Sequence, residues 1–170
     1  MTSLQGRAVD QMDKERFLRV YGHLFEHSPW VVERAWAGHP FEDAEDLHAA
    51  FMTAIAAAEA PLRLGLVRAH PQLADKAAIA EGLTASSAAE QASAGLDQLT
   101  PAEYESFHAL NRAYMDRFGF PFIICVRLHD KAGILAAMRS RLPRSPEEEL
   151  AEAIRQVGLI SRLRLAEIAA

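Results

Sequence analysis

Residues 147–168, EEELAEAIRQVGLISRLRLAEI, hold one helical period from end to end, with no proline and a single glycine. Advancing about 100° per residue, Leu150, Ile154, Val157, Ser161, Arg164 and Ile168 fall on one narrow line. Glu148, Glu149, Glu152, Arg155, Gln156 and Arg162 spread over the opposite side. Arg162 reads as an ordinary solvated charge. Arg164 does not, because it stands on the inward line, where an unpaired guanidinium is costly. It requires a buried carboxylate, a group of backbone carbonyls or a ligand, and its planar fork suits a carboxylate or ureido group. The competing reading is a long side chain snorkelling past the apolar edge.

Outward from this segment the punctuation stays helical. Asp13 caps a helix through Phe17, Val20 and Leu24, and Ser28-Pro29 opens a short helix that Gly38 closes. An alanine-rich periodic stretch runs from about Asp43 to Ala58. Pro61 starts another that ends at His70-Pro71. Thr100-Pro101-Ala102-Glu103 is a capping box. Its helix is expected to bury Tyr104, Phe107, Tyr114 and Phe118 before Gly119 ends it. Then comes an apolar run that is not helical, Phe120-Pro121-Phe122-Ile123-Ile124-Cys125-Val126. It has the β-branched and aromatic residues of a strand but no sibling to pair with. Its backbone groups must therefore find side chains, water or an amide-rich ligand. The fold expected is all-α, a single-domain helical bundle over residues 1–170 with one short extended segment near 120–126.

Composition narrows the function classes. Net charge is −5, and no basic face suggests a phosphate backbone as partner. No apolar run reaches the ~18 residues that span a bilayer. The one cysteine, Cys125, has no internal disulfide partner, which fits a reducing compartment. The start of the chain lacks a signal-peptide core, so a cytoplasmic location is expected, without nucleic-acid or membrane partners.

Three constellations compete for chemistry. His23-Leu24-Phe25-Glu26-His27 formally matches the H-x-x-E-H zinc pattern, with Glu26 as base, but Ser28-Pro29 follows at once and no third ligand is evident. His70-Pro71 places an imidazole at the end of a helix, because the residue before proline is pushed out of helical geometry. Ser87, Glu90 and Gln91 stand at i, i+3 and i+4 on a small-residue helix and share one face. That face is either solvated or a ligand surface offering both donors and acceptors.

Together these segments resemble the OHCU decarboxylase family. The resemblance runs from about residue 15 to 168. It is carried by Phe25–Val31 (FEHSPWV), Ala69–Ala74 (AHPQLA), Ser87–Leu96 (SAAEQASAGL), Phe118–Arg127 (FGFPFIICVR) and Ile160–Leu165 (ISRLRL), five motifs in order. It implies an all-helical, cofactor-independent carboxy-lyase, a homodimer. The reaction implied converts 2-oxo-4-hydroxy-4-carboxy-5-ureidoimidazoline to (S)-allantoin and CO₂ in urate breakdown, beside a hydroxyisourate hydrolase as possible partner. The family's catalytic histidine maps onto His70. Its substrate contacts map onto Pro71, Ser87, Glu90, Gln91, the backbone of Phe122, Ile123, Ile124, Cys125 and Val126, and Arg164. The chain departs from the family in the loop after His70, where Gln72 and Asp75 replace its usual aspartate and glycine. On this reading Arg164→Leu should raise KM while the fold tolerates it. The rival readings are a non-catalytic helical assembly module and a zinc hydrolase using His23, Glu26 and His27.

Overall fold

The computed structural model describes residue 9, residues 11–75 and residues 83–169. Among these residues there are eight α-helices and no strand. They are α1 Lys14–Tyr21, α2 Trp30–Ala35, α3 Ala44–Ala56, α4 Ala60–Arg68, α5 Ala85–Ser93, α6 Pro101–Phe118, α7 Lys131–Arg141 and α8 Pro146–Ala169. The all-α expectation holds. No single described helix is long and apolar enough to cross a membrane. The chain divides into two compact units, one of Met1–Ala69 with Gly158–Ala170, the other of His70–Val157.

The first unit is built on aromatic contacts. Phe17 lies 5.1 Å from Tyr21, 5.0 Å from Trp36 and 5.9 Å from Phe41 between ring centroids, and Phe25 meets Phe51 edge-on at 5.4 Å. Asp13 caps α1 by accepting from the Arg16 N–H at 2.8 Å. That helix stops at Tyr21 with Gly22 as its cap, short of the expected Leu24. At α2 the expected Ser28 cap is absent. The Ser28 hydroxyl instead donates to the Glu26 carbonyl at 3.0 Å, and Pro29 takes the cap position without a side-chain bond. In the same unit His48 is buried, its Nε2 2.9 Å from the Gly158 carbonyl and 3.1 Å from Ser161 Oγ. Burial lowers its pKa below the usual histidine value.

In the second unit the capping box of α6 is formed, with Thr100 Oγ1 and Glu103 each exchanging a 3.2 Å bond with the other's backbone N–H. Gly119 ends that helix in the left-handed region at φ 74, which glycine adopts without cost. The buried face is Phe107, Asn111, Tyr114 and Phe118, with Tyr104 only half-buried. Tyr114 packs against Phe118, Phe120 and Phe122 at 4.5, 5.9 and 5.4 Å.

From Pro121 to Cys125 the chain is neither helix nor strand, with Cys125 itself extended, and Val126–Leu128 then tightens into a 3₁₀ turn. One edge of it is braced by side chains. Arg141 Nη1 donates to the Ile123 carbonyl at 2.8 Å, and the Cys125 N–H donates to Gln156 Oε1 at 2.9 Å. Arg141 also lies over the Phe122 ring at 4.3 Å and gives its Nε to Glu149 at 2.7 Å. Glu149 accepts from the Tyr114 hydroxyl at 2.7 Å. Burial, and then the neighbouring Glu149 carboxylate, push the Tyr114 phenol well above its usual range, so it stays a donor.

This network corrects the reading of α8. Glu149 and Gln156, assigned to the solvated side, are 0% and 5% exposed. They lie inward because Arg141, Tyr114 and the backbone of the extended segment supply partners that periodicity does not reveal.

Candidate active site

His70 follows Ala69, the C-cap of α4, and is buried with 9% exposure. Pro71 after it is half-buried. The short stretch that follows dips inward, with Leu73 and Ala74 buried. Ala74 sits at φ 57, a left-handed conformation unusual for a residue with a Cβ. Its N–H donates to Gln91 Oε1 at 3.1 Å, and the Leu73 carbonyl accepts from Asn111 Nδ2 at 2.7 Å.

Ser87, Glu90 and Gln91 are carried by α5, which Thr84 caps by accepting from the Ser87 N–H at 3.2 Å. Their exposures are 5%, 7% and 4%, so the solvated-face reading fails and the trio faces inward. Alanine on either side of them keeps that face narrow. Gln91 uses its oxygen on the Ala74 N–H. Its amide nitrogen has no hydrogen-bond partner among the described residues, so it is oriented to act as a donor.

α5 packs against the 3₁₀ turn that closes the extended segment. The edge of that segment formed by Ile123 and Cys125 is taken by Arg141 and Gln156. Between these two braced positions lies Ile124. Ile124 is 4% exposed, yet neither its N–H nor its carbonyl has a partner among the described residues. A buried peptide edge of this kind fits a ligand with an N–H and a C=O side by side, as in a lactam or ureido group.

The second unit thus brings His70, the Ser87/Glu90/Gln91 trio and the extended segment into one body. Arg164 belongs to the first unit. There it is 4% exposed, donating from Nη2 to Glu26 Oε1 at 3.0 Å and from Nη1 to the Leu24 carbonyl at 3.2 Å. Snorkelling is excluded, since its partners are a buried carboxylate and a backbone carbonyl. Nothing in the sequence around Glu26 shows this part, nor that of Asn111, although an asparagine on the Phe107–Tyr114–Phe118 face is the same kind of misplaced polar group as Arg164.

The H-x-x-E-H segment lacks the geometry of its pattern. α1 ends at Tyr21, His27 sits at φ 48, and Glu26 is engaged by Arg164. Among the described residues no three histidine, cysteine or acidic side chains are grouped to hold a metal ion.

Residues 10–166 match the family described as OHCU decarboxylase. A protein of Halalkalicoccus jeotgali named 2-oxo-4-hydroxy-4-carboxy-5-ureidoimidazoline decarboxylase is 41% identical over 168 residues, 99% of this chain and 93% of its own length. A Haloferax volcanii protein of the same name is 40% identical, over 98% of this chain and 97% of its own length. Among solved structures, an (S)-allantoin synthase superposes with a TM-score of 0.77 at 29% identity, covering 96% of this chain and 53% of that one.

Proposed function

Since the chain belongs to the OHCU decarboxylase family, we infer that it decarboxylates 2-oxo-4-hydroxy-4-carboxy-5-ureidoimidazoline to (S)-allantoin in urate breakdown. The observation that carries this inference is the polar set His70, Ser87, Glu90 and Gln91, buried in one unit with the open peptide edge of Ile124.

The substrate's carboxylate-bearing ring carbon adjoins a ring carbon written as C=N. When the C–CO₂⁻ bond breaks, its electron pair passes into that C=N, and a proton delivered to one face of the ring fixes the chirality of the product. The enzyme must hold the carboxylate out of the ring plane, stabilise the developing charge and admit a proton from one side. An imidazole suits that charge or that proton, because its ordinary pKa of about 6.5 lies near working pH. His70 takes this role. The Gln91 amide donates to a ring or ureido carbonyl. Glu90 accepts from ureido N–H groups, and Ser87 does either. Pro71 and the backbone of Phe122 and Ile124 complete the contacts, with Ile124 pairing to a lactam or ureido edge, while the Ile123 carbonyl and the Cys125 N–H are engaged by Arg141 and Gln156. The resemblance gives Arg164 an anion-clamping role, with Glu26 fixing its guanidinium.

His70→Ala should abolish (S)-allantoin formation from freshly generated substrate and leave the far-ultraviolet circular dichroism of the protein unchanged. The appearance of chiral allantoin is followed by its own circular dichroism. Wild-type turnover in the variant would remove His70 from the mechanism. Failure of the wild-type protein to speed the reaction would leave a non-catalytic helical module as the reading.

The remaining proposals are a homodimer, a hydroxyisourate hydrolase working alongside, and a cytoplasmic location. A sedimentation mass of one 18.7 kDa chain would exclude the dimer.

A further inference from the structure

The Leu73–Ala74 peptide, three residues beyond His70, is gripped at both ends. Its carbonyl accepts from Asn111 Nδ2 at 2.7 Å, and its N–H donates to Gln91 Oε1 at 3.1 Å. Both flanking residues are buried, at 6% and 4% exposure, so water cannot readily substitute. The grips come from two helices, α6 and α5. They fix the plane of a peptide whose next residue, Ala74, is held at φ 57 against its steric preference. Asn111 meets no other demand, since its Oδ1 is buried without a partner among the described residues. A buried asparagine with one orphaned acceptor is an expensive residue on an apolar face. Its retained contact is the grip on the His70 loop.

We propose that Asn111 is a positioning residue for the reaction, acting with Gln91 as a two-sided amide clamp that sets the place of the His70 imidazole. This rests on the reading of His70 as the catalytic group. A leucine at 111 fits the surrounding face but releases the Leu73 carbonyl, letting Ala74 relax out of the left-handed region and carrying His70 with it.

The test compares wild type, His70→Ala, Asn111→Leu, and Asn111→Leu combined with Ala74→Gly, by steady-state (S)-allantoin formation and thermal melting. In Asn111→Leu, kcat should fall by roughly ten- to a hundredfold while KM moves less than about threefold, as for a misplaced catalytic group. Glycine takes positive φ freely, so adding Ala74→Gly should recover kcat by about fivefold or more over Asn111→Leu. A merely structural asparagine would lower the melting temperature and leave kcat alone, and that result overturns the proposal. A double variant no faster than Asn111→Leu overturns it as well. Should Asn111→Leu not fold, Asn111→Ser, too short to reach Leu73, carries the same expectations. Full turnover in His70→Ala would instead show that the reading of His70 as the catalytic group is wrong.

Discussion

A charge on the inward line of a helix obliges some other part of the chain to answer it, and at Arg164 the answer is Glu26. Both side chains are nearly inaccessible, at 4% and 3% exposure, so neither is satisfied by water once the other is gone. The leucine that suits the apolar stripe of α8 is then no mild substitution. Arg164→Leu leaves the Glu26 carboxylate in a buried site without its guanidinium, a loss of about 3–5 kcal/mol. In a domain of this size that is a melting temperature lower by roughly 10 °C, read by calorimetry. The paired change Glu26→Leu with Arg164→Leu should regain most of it, because no buried charge is left over. A single variant melting with the wild type would show that the pair contributes nothing. Arg164 was legible because its register is wrong for an arginine. Its partner was not, since a helical period places a residue on a face and says nothing of what lies opposite. Asn111 shows the same limit from the other side: its polar register on α6 was readable, but the Leu73 carbonyl that explains it lies 38 positions away.

At the scale of elements, the helix ends were the most readable part of the sequence. The Thr100–Glu103 box, the Asp13 cap and the Gly119 stop are local chemistry, settled within four residues. The extended segment from Phe120 was legible as an exception, but its bracing was hidden. It depends on Arg141 and Gln156, and Gln156 is itself set by Glu152, whose Oε1 accepts from its Nε2 at 2.8 Å. Glu152 also takes a 2.7 Å contact from Arg155. The hydrogen bond from Arg155 is the main cause holding the Glu152 carboxyl down to about 2 from an ordinary 4.5. The folded value lies below the unfolded one, so the stabilisation is complete above pH 4.5 and is lost as pH falls toward about 2. Urea unfolding of wild type and Glu152→Gln should therefore differ by a constant amount above pH 4.5, with the gap closing on acidification. A gap independent of pH down to the acid limit would mean that Glu152 acts through shape and not charge. In the sequence this face of α8 belongs to solvent, because glutamates and a glutamine at these spacings look solvated until their partners are known.

Across the whole molecule, the rival zinc reading and the decarboxylase reading make opposite demands on the same five residues. Zinc needs His23 and His27 one turn apart on a continuous helix, with Glu26 free to serve as base. In the folded chain the helix has ended at Tyr21, and His27 turns the backbone at φ 48. Glu26 is committed to Arg164 at 3.0 Å. Freeing that glutamate for metal chemistry would take the carboxylate from a buried guanidinium, so the fold and a zinc site at this position oppose each other energetically. The decarboxylase reading asks none of these residues to bind metal; it needs only that Glu26 stay paired. Protein dialysed against a chelator should therefore form (S)-allantoin at its original rate, and should melt at its original temperature. Metal analysis of the same sample should find well under one zinc per chain. A loss of turnover restored by added zinc, and abolished again by His23→Ala, would return the H-x-x-E-H segment to the centre of the mechanism.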